Sequence, residues 1–114
     1  MKYTQVNQQH INDFSKKLGQ KNILLGESSN KYGSDHTENL NYPPDIVVFP
    51  SSTKDVSWVL NYCSENKIAV TPSAALTGLS GGAIPVYGGV SLSMKNMNRV
   101  ISVDEKNFQA AVEP

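Results

Sequence analysis

Apolar residues in the first part of the chain fall at helical spacing. Ile11, Phe14 and Leu18 share one face, which predicts a helix over residues 8–18. Asn7 is placed to cap its start and Gly19 to stop it. His10 falls on the polar side of that helix and is expected to be exposed. The stretch from Glu27 to Asn41 is polar and has no period, so it reads as an extended or loop segment.

The pattern then changes. Ile46-Val47-Val48-Phe49 is an unbroken apolar, largely β-branched run closed by Pro50, as expected of a strand buried on both faces. Ser52 and Asp55 mark a helix start. Val56, Val59, Leu60 and Cys63 give that helix its apolar stripe, and it ends near Asn66. Trp58 lies one position off the stripe, half exposed or in contact with chain outside this sequence. Lys67 to Thr71 reads as a second strand. Strand, helix and strand with short joints predict a βαβ unit with parallel strands. Three short strands are expected at Val90–Met94, Val100–Val103 and Gln109–Glu113, with Asp104 to Asn107 as a turn. Met94 and Met97 are expected to pack, and Lys95 and Arg99 to sit in a solvated turn. The fold class is therefore α/β, in its mixed α+β form.

Composition narrows the classes. The 114 residues are 39% hydrophobic and 18% charged, which suits one globular domain. Ten basic residues balance ten acidic ones, so neither a nucleic-acid footprint nor a polybasic membrane patch is present. No apolar run is long enough to span a bilayer, and the first residues from Met1 carry no signal-peptide pattern. One cysteine and two histidines exclude an internal disulfide and a site of three or four soft ligands. Cys63, on the buried stripe, reads as a small core residue rather than a nucleophile. Asp35 and His36 are adjacent in a polar loop; a solvated loop is the simpler reading than an acid–base pair. A reducing, cytoplasmic setting is the default expectation.

Between Pro72 and Gly89 lie five of the eight glycines and two of the six prolines. A stretch of this length without apolar period is usually functional. Thr71-Pro72-Ser73-Ala74-Ala75-Leu76-Thr77-Gly78-Leu79-Ser80-Gly81-Gly82-Ala83 leaves the end of a predicted buried strand, where α/β sheets place their ligands. Small side chains let a ligand approach the backbone, and successive N–H groups can form an anion-binding nest. Thr77 and Ser80 add hydroxyls, while no Lys or Arg occurs from Thr71 to Met94. A phosphate here would be held by neutral donors. The Walker loop is excluded because no Lys follows the glycines, and the dinucleotide fingerprint because its first spacing is missing. The other reading of these residues is a tight turn that only reverses the chain.

Pro72 to Ala83 resembles the flavin-pyrophosphate loop of FAD-linked oxidases of the vanillyl-alcohol-oxidase or p-cresol-methylhydroxylase type. The likeness is greatest to the D-lactate, glycolate and D-2-hydroxyacid dehydrogenase branch. Tyr32-x-x-Asp35 is similar to an upstream motif of that family. Pro44 to Pro50 resembles its first strand, and Ser52-Thr53-x-x-Val56 the helix after it. Gly88-Gly89-Val90-x-Leu92-Ser93, Met97 to Asp104 and Val112-Glu113-Pro114 continue the likeness to the last residue. The resemblance implies the first subdomain of a PCMH-type FAD-binding fold over residues 32–114, incomplete at its C-terminus, preceded by a helix and linker over 1–31. It implies FAD as cofactor, with Pro72, Ser73, Ala74, Ala75, Leu76, Thr77, Gly78, Leu79, Ser80, Gly81 and Gly82 as the cofactor-binding residues. It implies oxidation of a 2-hydroxyacid in a longer protein whose catalytic residues, further FAD-binding chain and cap domain lie beyond this sequence. The isolated piece is expected to be inactive and prone to self-association. Ala74, Ala75 and Leu76 stand where the family usually has glycines. If φ is positive there, each alanine costs about 1 kcal/mol. That departure carries the alternative, a non-catalytic remnant or interaction module that has lost flavin.

Overall fold

A computed structural model describes residues 2–37 and 39–114; Met1, in the N-terminal reading, and Glu38, in the predicted polar loop, lie outside the described residues. Asn7 caps the first helix, α1 (Gln8–Leu18), by accepting the His10 backbone N–H at 3.0 Å. His10 Nδ1 in turn accepts the Asn7 N–H at 3.1 Å. This reciprocal cap satisfies two end donors of the helix and explains a departure from expectation. His10 is buried, not exposed, because its ring folds back over the cap and meets the Tyr62 ring edge-on. Gly19, at φ +92°, ends the helix.

A four-stranded sheet forms the centre, in the order β1-β2-β4-β3. The strands are β1 (Ile23–Leu24), β2 (Ile46–Val48), β3 (Val70–Ser73) and β4 (Val90–Ser93). β2 and β3 both run parallel to β4, and β1 pairs antiparallel with β2. The two strands of the predicted βαβ unit are thus parallel members of one sheet, with β4 inserted between them. β2 is buried throughout, as its unbroken apolar run requires. Its alternate side chains reach opposite faces. Ile46 and Val48 join Phe14, Val59, Cys63 and Leu92 in the main core, while Val47 joins Tyr32 and Phe49 in a second cluster.

The second helix, α2 (Thr53–Asn66), starts where Ser52 accepts the Asp55 N–H at 3.2 Å. It stops at Lys67, which is left-handed at φ +56° and sends its N–H back to the last carbonyls. That cap is why the strand expected from Lys67 begins only at Val70. Trp58 is half-buried, stacked on Tyr62 and edge-on to Phe14, where α1 crosses α2. Leu60, expected on the buried stripe, is instead 47% exposed. β1 carries no sequence signal of its own, and residues Gly26–Gly33 form a 3-10 turn inside the predicted loop.

Gly89 sets the entry to β4. A Cβ there would lie 2.3 Å from the Ala69 carbonyl oxygen, so only glycine lets β3 and β4 approach. Met94 packs against the main core and Met97 is buried, as expected. Beyond them, β5 (Val100–Asp104) and β6 (Gln109–Val112) form an antiparallel hairpin whose residues are all exposed. Arg99 is solvated as expected, and it closes the base of the hairpin on Glu113 at 2.7 Å. Among the described residues, no helix is long and apolar enough to cross a membrane.

Candidate functional site

Because β2, β3 and β4 are parallel, their carboxyl ends share one edge of the sheet. The glycine-rich segment leaves that edge at the end of β3. Pro72 and Ser73 are the last two residues of β3, an outer strand where proline is tolerated. Ala74 to Ser80 form the exposed loop, with Leu76 half-buried, and Gly81 and Gly82 turn the chain onward. The Ile84 N–H donates to the Gly81 carbonyl at 3.1 Å and fixes that turn.

The loop presents unengaged donors. Among the described residues, the backbone N–H groups from Ala75 to Ser80 donate no hydrogen bond within the protein. Ser73 Oγ is buried and has no partner, as is Ser91 Oγ on the neighbouring strand β4. A buried hydroxyl left unpaired is costly, which marks the end of β3 as a place that calls for a polar partner. A Cβ at Gly82 would meet nothing within 4 Å, and one at Gly78 only Asp35 Oδ2 at 3.7 Å. The surface is open and small-sided, as close approach of a diphosphate requires. Donor chemistry and space both fit the pyrophosphate of FAD.

Positive φ falls at Leu76, at +60°, and at neither Ala74 nor Ala75. The expected strain at those two alanines is therefore absent, and both keep ordinary backbone conformations. Leu76 instead takes the strained position, and its side chain packs against the Tyr32, Val47 and Phe49 cluster. Burial of the leucine offsets its backbone cost and pins the loop to the sheet.

The Asp35 segment lies beside the loop. The His36 N–H donates to the Gly78 carbonyl at 3.0 Å, and Asp35 Oδ1 accepts the Thr37 N–H at 2.7 Å. Asp35 Oδ2 is buried behind Gly78 without a partner among the described residues. Tyr32 is buried edge-on to Phe49. The Tyr32-x-x-Asp35 motif therefore supports the loop from beneath, a role its spacing alone does not reveal. Cys63 is buried in the core and its thiol is pushed up to about 12 by desolvation, as an inert structural cysteine should be. No cluster of metal-ligating side chains occurs among the described residues.

Comparison with known proteins agrees with this geometry. Residues 44–114 match the family described as FAD binding domain. The chain is 38% identical, over 97% of its length, to 24% of a D-lactate dehydrogenase from Anaerostipes hadrus. It is 37% identical, over 73% of its length, to 18% of glycolate oxidase subunit GlcD of Bacillus subtilis. Among solved structures, p-cresol methylhydroxylase superposes with a TM-score of 0.71 at 29% identity, covering 87% of this chain and 21% of that one. The chain spans about a quarter or less of the length of these curated relatives. A family match over most of the chain places it in the FAD binding domain family, with FAD as its cofactor.

Proposed function

We propose that Pro72 to Gly82 holds the pyrophosphate of FAD in an oxidoreductase that removes a hydride equivalent from a 2-hydroxyacid of the D-lactate or glycolate type. The observation that carries the cofactor assignment is the run of free backbone N–H groups from Ala75 to Ser80, which follows closely on the unpaired Ser73 hydroxyl at the end of β3. Successive N–H groups and hydroxyls bind an anion without a point charge, and the loop itself contains no Lys or Arg. Leu76 and the His36–Gly78 hydrogen bond hold the loop in one shape, so little ordering is needed on binding. The flavin, when bound, supplies the two-electron acceptor. Thr77 and Ser80, both exposed, add hydroxyl donors beside the N–H row.

The 2-hydroxyacid assignment rests on the D-lactate dehydrogenase and glycolate oxidase relatives. Residues 32–114 are proposed as the first part of the FAD-binding unit, with 1–31 a helix and linker seated on it. Substrate contacts and the reacting face of the flavin are assigned to further FAD-binding and cap domains of a longer protein.

An FAD titration of the 114-residue chain, followed by amide NMR, tests the site. The loop holds only the phosphates and leaves most of the flavin's apolar surface in water. The expected affinity is therefore in the millimolar range, about −4 kcal/mol. Saturable shifts centred on Ala75 to Ser80 support the proposal. A titration that leaves those amides unmoved favours the second reading, a remnant that kept the α/β shell and lost flavin; a leucine rather than a glycine at the one positive-φ position of the loop's start, Leu76, motivates it.

A further inference from the structure

Three separate segments each bring one lysine to a pocket at the carboxyl edge of the sheet, away from the N–H row of the loop. Lys21 lies in the 3-10 turn Gln20–Asn22 just before β1, and Lys95 in the turn Met94–Asn96 just after β4. Lys31 comes from the Gly26–Gly33 turn. Antiparallel pairing of β1 with β2 sets Ile23 opposite Val48, which brings the start of β1 to the end of β2. The Phe49 N–H then donates to the Asn22 carbonyl at 2.9 Å, and Asn96 Nδ2 donates to Asn22 Oδ1 at 3.3 Å. These bonds join the turns into one wall. The pocket encloses about 260 Å³, and its floor is the Tyr32–Phe49 edge-to-face pair.

We propose that this pocket is a second anion site, which takes a phosphate-bearing ligand on Lys21, Lys31 and Lys95. The chain as a whole is neutral, so three of its ten cations around one concavity is a local departure from its charge balance. Among the described residues, none of the three pairs with a carboxylate within 4.0 Å; the ion pair found is Arg99 with Glu113. Like charges held together without a counter-ion repel, and a polyanion removes that repulsion. The buried aromatic floor keeps solvent from one side and strengthens the attraction. All three cations are lysines, and the only arginine is engaged elsewhere. Lysine is a point charge without the planar fork that matches a carboxylate, so the set suits a tetrahedral phosphate. Tyr32 and Phe49 also carry Leu76 of the flavin loop, so the pocket and the loop share a wall. The loop takes the one pyrophosphate of the flavin nucleotide, so the pocket is assigned to a separate phosphate-bearing ligand.

Inorganic pyrophosphate titrated into the 114-residue chain, followed by amide and lysine side-chain NMR, tests the site. Saturable shifts at Lys31, Lys95 and Asn96 are expected. The triple variant Lys21→Gln, Lys31→Gln, Lys95→Gln should bind at least tenfold more weakly. A control triple, Lys2→Gln, Lys54→Gln, Lys106→Gln, removes the same charge and should change affinity less than twofold. Equal weakening in both triples, or shifts confined to Ala75 to Ser80, overturns the proposal. A second pyrophosphate titration in the presence of FAD tests that assignment. Undiminished binding at the pocket is expected, and competition there by FAD would overturn the assignment to a separate ligand. Because the readouts are on different residues, failure here leaves the loop assignment standing, and failure at the loop leaves the pocket.

Discussion

The backbone N–H of His36 donates to the carbonyl of Gly78 at 3.0 Å, which ties a polar segment far upstream to the middle of the glycine-rich loop. The tie depends on Asp35, whose Oδ1 accepts the Thr37 N–H and sets the turn from which His36 projects. Asp35→Ala removes that acceptor and should loosen the turn locally. Hydrogen exchange at the His36 amide should quicken in Asp35→Ala and stay near wild type in Asp35→Asn, which keeps Oδ1. Unchanged protection in Asp35→Ala would show that the loop orders this segment rather than the reverse.

Leu76 combines a left-handed backbone with a side chain packed on Tyr32, Val47 and Phe49. Leu76→Ala keeps the positive φ and loses the packing, while Leu76→Gly loses the packing but relieves the backbone. Glycine should therefore be the more stable variant by about 1 kcal/mol, the reverse of the order in a helix or strand. Urea denaturation of the two variants measures it. An alanine variant at least as stable as the glycine one would show that φ at this position is not held positive. Glycine at Ala74 or Ala75, where φ is ordinary, should bring no such relief.

The contrast between Leu76 and its neighbours shows where the sequence is readable. Elements with local causes were legible: the Asn7 and Gly19 ends of α1, the Ser52 start of α2, the buried run of β2, and the hairpin strands. Features made by distant contacts were not. β1 is two residues long and exists because Ile23 and Leu24 meet β2. His10 is buried by a cap and by Tyr62, and neither is written in its helical position. The loop was legible as a loop, but which of its residues takes the positive φ depends on a hydrophobic cluster assembled from three segments. The lysine pocket was invisible for the same reason, since its cations lie in turns separated by whole elements.

Gly89 is the position where substitution should be least tolerated. Its φ is +71°, and a Cβ would lie within 2.3 Å of the Ala69 carbonyl oxygen. The same glycine's carbonyl accepts the N–H groups of Asp45 and Ile46, so a shift there disturbs β2 as well. Gly89→Ala should cost about 3 kcal/mol or more through combined clash and backbone strain. Gly82→Ala, with open space around its Cβ and no positive φ, should be nearly neutral for stability. Thermal melts of the two variants check the contrast, and equal melting temperatures would refute it.

Cys63 predicts a pH effect with a defined sign. Desolvation raises its thiol to about 12 in the folded protein, against an ordinary 9.0. Below pH 9 both states hold the proton, and the residue contributes no slope. Between pH 9 and 12 the unfolded thiol ionises while the folded one does not, so stability falls as pH rises through that window. Native Cys63 should resist a thiol reagent at pH 8 and react at once on unfolding. Rapid labelling of the native protein at that pH would contradict its burial.

The β5–β6 hairpin presents Val100, Ile101, Val103 and Val112 to solvent, with Phe108 at its tip 96% exposed. Its turn is set by Asp104, whose Oδ1 accepts the N–H groups of Lys106 and Asn107. A lone two-stranded ribbon is marginal in water, and its unpaired edges and apolar side chains favour pairing with another copy. The 114-residue chain should therefore self-associate, with light scattering after size exclusion giving a dimer or larger species. Phe108 has φ +53°, a conformation that asparagine adopts more readily, so Phe108→Asn removes the aromatic tip while easing the turn. Combined with Val103→Lys on a strand, it should shift the chain to monomer without loss of secondary structure by circular dichroism. Because Phe108→Asn eases the turn, a shift to monomer reports loss of the contact surface rather than loss of the hairpin. A wild-type chain that elutes as a clean monomer would mean that the exposed hairpin is stable alone and that its apolar residues do not drive association.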